Sequence, residues 1–475
     1  MSNGPAAPVP PSSAVRAFFF LSGPVAGLLA AGMAHRAGLS SAAVVTAGVT
    51  ALCAAWWIFE PLPLAATSLL PFVVFPAAGV LSHEQVAAAY GHTLVLLFLG
   101  GFLLSAGMER SGAHERVAML MVRAVGGGGR RLVLGFMVAA AATSMWISNT
   151  ATTLMLLPMA AAAAARVGDP GVSRALMLGI AYASSIGGLG TPIGSPPNIV
   201  FMAIYNAQSG ATFSFVDWMR VGVPVVLVFT PLAWWWLTRH VGPVPVVPPP
   251  RPGAWSVGQK RVLGVFVAAA VLWITRTSPA GGWNGWLEVL FAYQGKGELV
   301  GDSTVALAGA FVLFLIPDGQ GARLLDWPTA ERIPWGILLL FGGGIAIAQA
   351  FSASGLSAAL GGALDGLTRL PPLVMIAGVC LVVTFLTEVT SNTATANVIM
   401  PILMAAALAA DVKAPLLMVP AALSCSCAFM LPVATPPNAV VFGAGYVTVK
   451  DMARAGLVLN LMGVVLISLL SWLLL

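Results

Sequence analysis

Long apolar runs without a charge recur along the whole chain, beginning with "AFFFLSGPVAGLLAAGMA" from Ala17 to Ala34. About 18 or more consecutive residues of this kind read as a helix that crosses a bilayer. In hydrocarbon each backbone N–H and C=O must be satisfied within the protein, so only helices and closed barrels cross. Barrel strands alternate over about 10 residues and do not need runs this long. Charged residues make up 8% of the 475 and hydrophobic ones 59%, whereas about 25% charged is usual for a soluble domain. The expected fold class is an all-α polytopic membrane protein whose solvent is the lipid bilayer.

Hydropathy places about 11 transmembrane helices, near 16–34, 38–58, 62–80, 92–110, 173–208, 219–238, 259–276, 301–317, 334–353, 414–445 and 452–475. Two further apolar pairs, 132–147 with 152–165 and 372–386 with 395–410, read as hairpins that enter and leave on one side. With the N-terminus in the cytoplasm, sixteen of the 22 Lys and Arg fall in inner loops and six (22 − 16) in outer ones. That asymmetry favours this orientation over its mirror and puts the C-terminus outside. The net charge of +6 is thus a topology signal, and no nucleic-acid partner is expected. "MSNGPAAPVPPSSAVR" reads as a short disordered tail, and the apolar run it leads into lacks a convincing cleavage site.

No catalytic constellation stands out. Cys53, Cys380, Cys425 and Cys427 lie in apolar segments without zinc-site spacing. HExxH, GxSxG and a paired intramembrane Asp are all missing from the sequence. An enzyme is not expected, nor an organic cofactor.

What does stand out is a small uncharged polar cluster placed twice in grease. "SNTATT" runs from Ser148 to Thr153 and "SNTATA" from Ser391 to Ala396, 243 residues apart (391 − 148). Other features keep the spacing. Phe98 matches Phe341, Gly101 matches Gly344, and Ser111-Gly112 matches Ser354-Gly355. Downstream, "GSPPNIV" from Gly194 matches "ATPPNAV" from Ala434 at an offset of 240. Each half therefore carries a Gly-rich span, a Ser-Asn-Thr hairpin, and a span broken at Pro-Pro-Asn. Counting on from 92–110, its match 334–353 is the fifth further crossing (173–208, 219–238, 259–276, 301–317, 334–353), an odd number, so the halves are expected to be inverted. Inverted repeats with interrupted spans at matching positions point to the binding site of a secondary transporter.

Ser, Asn and Thr supply hydroxyl and amide oxygens, and the breaks supply free backbone carbonyls; both suit a monovalent cation. Helix N-termini at hairpin tips suit an anion. Two cation sites flanking one anion site follow. Neither motif carries Lys or Arg, so the cations would supply the charge that a dianion needs. Glu388, in "TEVTSNT", is ionisable within a membrane segment, which makes it a functional candidate; a Glu that braces the hairpin is an equal alternative. Its counterpart, Met145, shows that it is not part of the duplicated site.

"TSMWISNTATTLMLLP", "TEVTSNTATANVIMP", "GTPIGSPPN" and "SCAFMLPVATPPNAVVFG" together resemble the divalent anion:sodium symporter family, over almost the whole chain from Glu60 onward. The resemblance implies a homodimer in the cell inner membrane, with scaffold and transport domains in an elevator architecture and two re-entrant hairpins. It implies two or more sodium ions: one held by Ser144, Ser148, Asn149 and the carbonyl of Gly194, the other by Thr387, Ser391, Asn392 and the carbonyl of Ala434. The repeat arithmetic agrees, since 387 − 243 = 144 and 434 − 240 = 194. Substrate carboxylates are implied near Asn149, Thr150, Asn392 and Thr393, with Ser195 and Thr435 adjoining. Two intact Ser-Asn-Thr motifs tilt the expectation toward sodium-coupled uptake of C4-dicarboxylates such as succinate, malate and fumarate. A sodium-independent dicarboxylate exchanger and a sodium-coupled citrate or sulfate carrier stand as alternatives.

The corresponding partition is a cytoplasmic tail 1–15, scaffold helices 16–91, and a first repeat core 92–218 with hairpin 130–166 and broken helix 173–208. Scaffold helices and linker 219–333 follow, then a second repeat core 334–475 with hairpin 371–410, broken helix 414–445 and final helix 452–475. "VPVVPPPRPG" (244–253) reads as a stiff linker, and "GGGGRR" (126–131) as a flexible lead-in to the first hairpin. Amphipathic arms are expected over 113–125 and 356–369, and Trp56-Trp57 and Trp234-Trp235-Trp236 read as interfacial anchors.

Overall fold

A computed structural model describes residues 13–242, 244, 253–277, 281–293, 295, 298–363, 371–409 and 412–475. Residues 1–12 of the expected tail, most of the 244–253 linker and 364–369 of the second arm lie outside the described residues. Among the described residues the regular elements are helices, with one isolated bridge between Pro317 and Arg323. Eight helical segments are long and apolar enough to cross a membrane: Ala14–Arg36, Ser41–Phe59, His83–Ser111, Asn149–Val167, Phe215–Thr238, Val257–Thr275, Trp335–Ser354 and Val449–Leu474.

The other expected spans are shorter or broken, for local reasons. The 62–80 stretch forms Leu64–Thr67 and Leu70–Ala77, with Pro71 in the first turn of the second piece. Proline lacks the N–H that would continue a helix through the junction. The 301–317 stretch forms Asp302–Leu315, whose 14 residues reach only about 21 Å at 1.5 Å each, against a hydrocarbon core of about 30 Å.

The two matched breaks sit where the Pro-Pro-Asn motifs place them. Pro170–Gly187 ends, a single turn Pro192–Gly194 intervenes, and Pro196–Gln208 begins. In the second half Ala414–Cys425 ends and Pro436–Gly443 begins. The helix pairs Gly129–Ser144 with Asn149–Val167, and Pro372–Leu386 with Asn392–Ala409, pack beside these breaks. Gly187 allows a close approach: a Cβ there would lie 2.2 Å from the carbonyl oxygen of Ala141.

Two sequence readings are corrected. Trp56 and Trp57 are buried, not interfacial. Trp57 Nε1 donates to Ser68 Oγ at 3.1 Å and Trp56 Nε1 to the carbonyl of Phe20 at 3.0 Å. Each indole therefore spends its one polar group inside the protein, as buried Trp must. The "GGGGRR" lead-in is also tied down at its end. Arg130 donates to the carbonyls of Val241 and Arg239 at 3.2 and 3.0 Å, and its own carbonyl accepts from Trp234 Nε1 at 2.8 Å. Trp235 is exposed, as an anchor would be. The first arm is a helix, Ala113–Val125; the second is helical over Leu356–Ala363.

Candidate functional site

The two Ser-Asn-Thr turns are built alike. Helix Gly129–Ser144 stops, and Ser148 starts the next helix by accepting the N–H of Ala151 at 3.1 Å, the capping that small hydroxyl residues favour. This turn brings Ser144 Oγ to 2.5 Å from Asn149 Oδ1. In the second half Thr387 Oγ1 lies 2.7 Å from Asn392 Oδ1, and 2.8 Å from the carbonyl oxygen of Cys425. The same pair forms at an offset of 243 (387 − 144 and 392 − 149).

The breaks are also built alike, and by residues whose function the sequence reading did not assign. Asn198 Nδ2 donates to the carbonyls of Gly188 and Thr191, both at 2.8 Å. Asn438 Nδ2 donates to the carbonyls of Ala428 and Leu431, both at 3.0 Å. All three positions keep the 240 offset (438 − 198, 428 − 188, 431 − 191). One Asn thus holds each unwound segment by satisfying two carbonyls that have left the helix. The signal was present in the Asn that follows each Pro-Pro.

A cavity of about 550 Å³ opens between the two turns. Ser148, Asn149, Thr150, Gly194, Ser195, Ser391, Asn392, Thr393, Ala434 and Thr435 all line it. Ser144 and Thr387 do not; both are fully buried behind their Asn partners. Ser195 Oγ is already engaged, 2.7 Å from Ser426 Oγ. Four helices begin at the cavity wall, with Asn149, Pro196, Asn392 and Pro436 as their first residues. Their dipoles all favour negative charge in the space between them. Two carboxylates, Glu60 and Glu388, also line it, and no Lys, Arg or His does among the described residues. Glu60 is held at φ 48°, a left-handed conformation uncommon for a residue with a side chain. Sequence reading passed over it, because a single Glu at the end of a span carries no spacing signal.

The donor set behind each turn consists of neutral oxygens. Asn149 Oδ1 points toward the carbonyl oxygens of Ser184 and Gly194, at 3.1 and 3.3 Å. Neither carries a proton. With the amide turned over, its NH₂ donates to both carbonyls and to Ser144 Oγ, which leaves every group satisfied. Gly188 leaves that space open: a Cβ there would lie 2.7 Å from Asn149 Oδ1 and 3.0 Å from the carbonyl oxygen of Gly194. Hard, uncharged oxygens around a small gap fit an alkali cation, so these residues fit sodium.

A family model described as "Citrate transporter" matches residues 54–419. The sodium-dependent dicarboxylate transporter SdcS of Staphylococcus saprophyticus is 39% identical over 457 residues, covering 91% of this chain and 86% of its own. The SdcS of Staphylococcus aureus is 38% identical over 485 residues, covering 97% of this chain and 91% of its own.

The chain belongs to the divalent anion:sodium symporter family.

Proteins of this family are transporters, and this member is not an enzyme. Two solved transporters share the symporter's fold. The Alcanivorax borkumensis YdaH transporter superposes with a TM-score of 0.58 at 14% identity, over 89% of this chain and 98% of its own. Neisseria gonorrhoeae MtrF gives 0.54 at 11%, over 84% and 85%. At these identities the likeness concerns the fold alone.

Proposed function

We propose that this protein is a secondary active transporter that couples sodium to the uptake of C4-dicarboxylates such as succinate, malate and fumarate. One observation carries the reading: two matched clusters of neutral oxygens flank a single cavity whose charged lining is two carboxylates. A unit charge about 6 Å away contributes about 3 kcal/mol per charge at an effective dielectric near 20. A dianion facing those carboxylates is therefore strongly opposed. Two sodium ions in the oxygen clusters reverse the sign, and the four helix N-termini add to the attraction. Coupling then follows from electrostatics, because the dianion binds well only when sodium is present.

Ser144, Ser148, Asn149 and the Gly194 carbonyl would hold one ion; Thr387, Ser391, Asn392 and the Ala434 carbonyl would hold the other. Asn149, Thr150, Ser195, Asn392, Thr393 and Thr435 would meet the substrate carboxylates. The names of the staphylococcal relatives support both sodium and dicarboxylate. Movement would follow the elevator scheme: re-entrant hairpins 130–166 and 371–410 with the broken helices slide as a transport domain against a dimeric scaffold. The membrane is the cytoplasmic one, with the N-terminus inside and the C-terminus outside.

The test is uptake of labelled succinate into proteoliposomes loaded without counter-substrate, with an inward gradient of sodium or of choline. Accumulation with sodium only is expected. Uptake that appears only in vesicles preloaded with dicarboxylate, and equally with sodium or choline, would leave a sodium-independent exchanger. Citrate is the second reading, because the matching family model carries that description. Excess citrate or sulfate is expected to compete weakly; stronger competition than by unlabelled succinate overturns the C4 assignment.

A further inference from the structure

Glu388 is buried, 4% exposed, and makes four hydrogen bonds. Oε1 accepts the backbone N–H of Phe429 at 2.7 Å and of Met430 at 2.8 Å, and Asn460 Nδ2 at 2.8 Å. Oε2 accepts the N–H of Leu431 at 3.2 Å. Every partner is a donor. Phe429 to Leu431 lie in the unwound stretch between Cys425 and Pro436, where the N–H groups have lost their helical carbonyls. The same stretch presents the Ala428 and Leu431 carbonyls to Asn438 and leads to Ala434. Glu388 also follows directly on Thr387, whose hydroxyl sits between Asn392 Oδ1 and the Cys425 carbonyl. One side chain therefore ties the hairpin turn to the broken helix at the second oxygen cluster.

The first half solves the same problem without charge. Met145 stands where Glu388 does, at the 243 offset. There the N–H groups of Leu189 and Gly190 are satisfied by Ile186 and Gly187, at 3.1 and 2.9 Å, in a tightened helix end. Thr191 Oγ1 then closes the loop on the Met145 carbonyl. The two oxygen clusters match in their ligands and differ in their support.

We propose that Glu388 is the positioning residue of the second cation site. It fixes the unwound Phe429–Leu431 backbone so that the neighbouring oxygens converge, and it places beside that site a carboxylate that the first site lacks. The two sites are then unequal, the second binding sodium more tightly. This inference rests on the sodium-coupled reading above.

The experiment compares wild type, Glu388→Gln and Asn460→Ala by two readouts: sodium-dependent thermal stabilisation of the purified protein, and sodium activation of succinate uptake. Glu388→Gln removes the charge and turns an NH₂ toward N–H donors. Its sodium midpoint is expected to rise about tenfold or more in both readouts, the scale of losing a charge-assisted hydrogen bond. KM for succinate at saturating sodium is expected not to rise, since the hydroxyl and amide groups facing the substrate remain and the lost charge is one that opposes the dianion. Asn460→Ala removes one donor and leaves the carboxylate, so a smaller rise in the same direction is expected. A bracing role alone lowers the melting temperature and leaves the sodium midpoint where it was; that result overturns the proposal. Should Glu388→Gln not accumulate as folded protein, Asn460→Ala decides by the same criterion. A wild type that sodium neither stabilises nor activates refutes the sodium reading instead, so the two failures are distinct.

Discussion

Replacing Gly188 by Ala probes the first oxygen cluster with a single methyl group. Gly188 sits at φ −56°, ψ −17°, a backbone conformation that Ala adopts freely. Backbone strain is therefore not at issue, and the effect is steric. The new Cβ would lie 2.7 Å from Asn149 Oδ1, 3.0 Å from the Gly194 carbonyl oxygen and 3.1 Å from Asn149 Nδ2. Carbon–oxygen contacts ordinarily fall at about 3.3–3.6 Å, so the amide must retreat by roughly 0.6 Å. Such overpacking costs about 1–3 kcal/mol, which falls on the proposed ion site because the displaced atoms are the ligands proposed for it. Converted, that is a rise of roughly 5- to 150-fold in the sodium midpoint. The assay is a sodium titration of thermal stability, repeated on succinate uptake. Gly187→Ala serves as contrast: its Cβ would lie 2.2 Å from the backbone oxygen of Ala141, so folding itself should fail. A Gly188→Ala protein that folds and shows the wild-type sodium midpoint would refute the placement of a cation between Asn149 and Gly194.

Other expected outcomes concern the frame around the site. Gly344→Ala puts a Cβ 1.8 Å from Asn397 Oδ1; the melting temperature should fall, and Asn397→Ala in the same chain should restore most of it. Asn198→Ala and Asn438→Ala each strip two buried carbonyls of their donor, at about 1–3 kcal/mol per unsatisfied group; thermal denaturation should show similar losses in both halves. Arg276 is 2% exposed and pairs with Asp302 at 2.7 Å and with Glu298. Arg276→Ala leaves Asp302 buried without its partner and should cost about 3–5 kcal/mol, read as a large drop in melting temperature with the sodium midpoint unchanged.

The site was more legible in the sequence than the count of crossings. Ser-Asn-Thr and Pro-Pro-Asn are short, uncharged and repeated at fixed offsets, and only a buried polar function keeps such clusters inside apolar segments. Ten named residues meeting at one cavity follows from that. Asn198 and Asn438 stood in the motif, but their task depends on which carbonyls the unwound backbone leaves free, and that requires coordinates. Glu60 and Glu388 are single residues without a repeat partner to give them a spacing. Arg276 ends the 259–276 span, and nothing in the sequence signals that it is buried where Asp302 and Glu298 meet it. Trp56 and Trp57 misled for a related reason: an indole at a span end reads as an anchor until Phe20 and Ser68 are found receiving its N–H.

The central claim is that the two Ser-Asn-Thr clusters hold sodium so that a dianion can bind between them. The most direct measurement is succinate uptake driven by an inward sodium gradient in proteoliposomes of wild type, Asn149→Ala and Asn392→Ala. Wild type should accumulate succinate only while the gradient lasts, and each substitution should abolish accumulation in a protein that still folds. Full accumulation by both variants, or uptake by wild type that ignores sodium, would contradict the account.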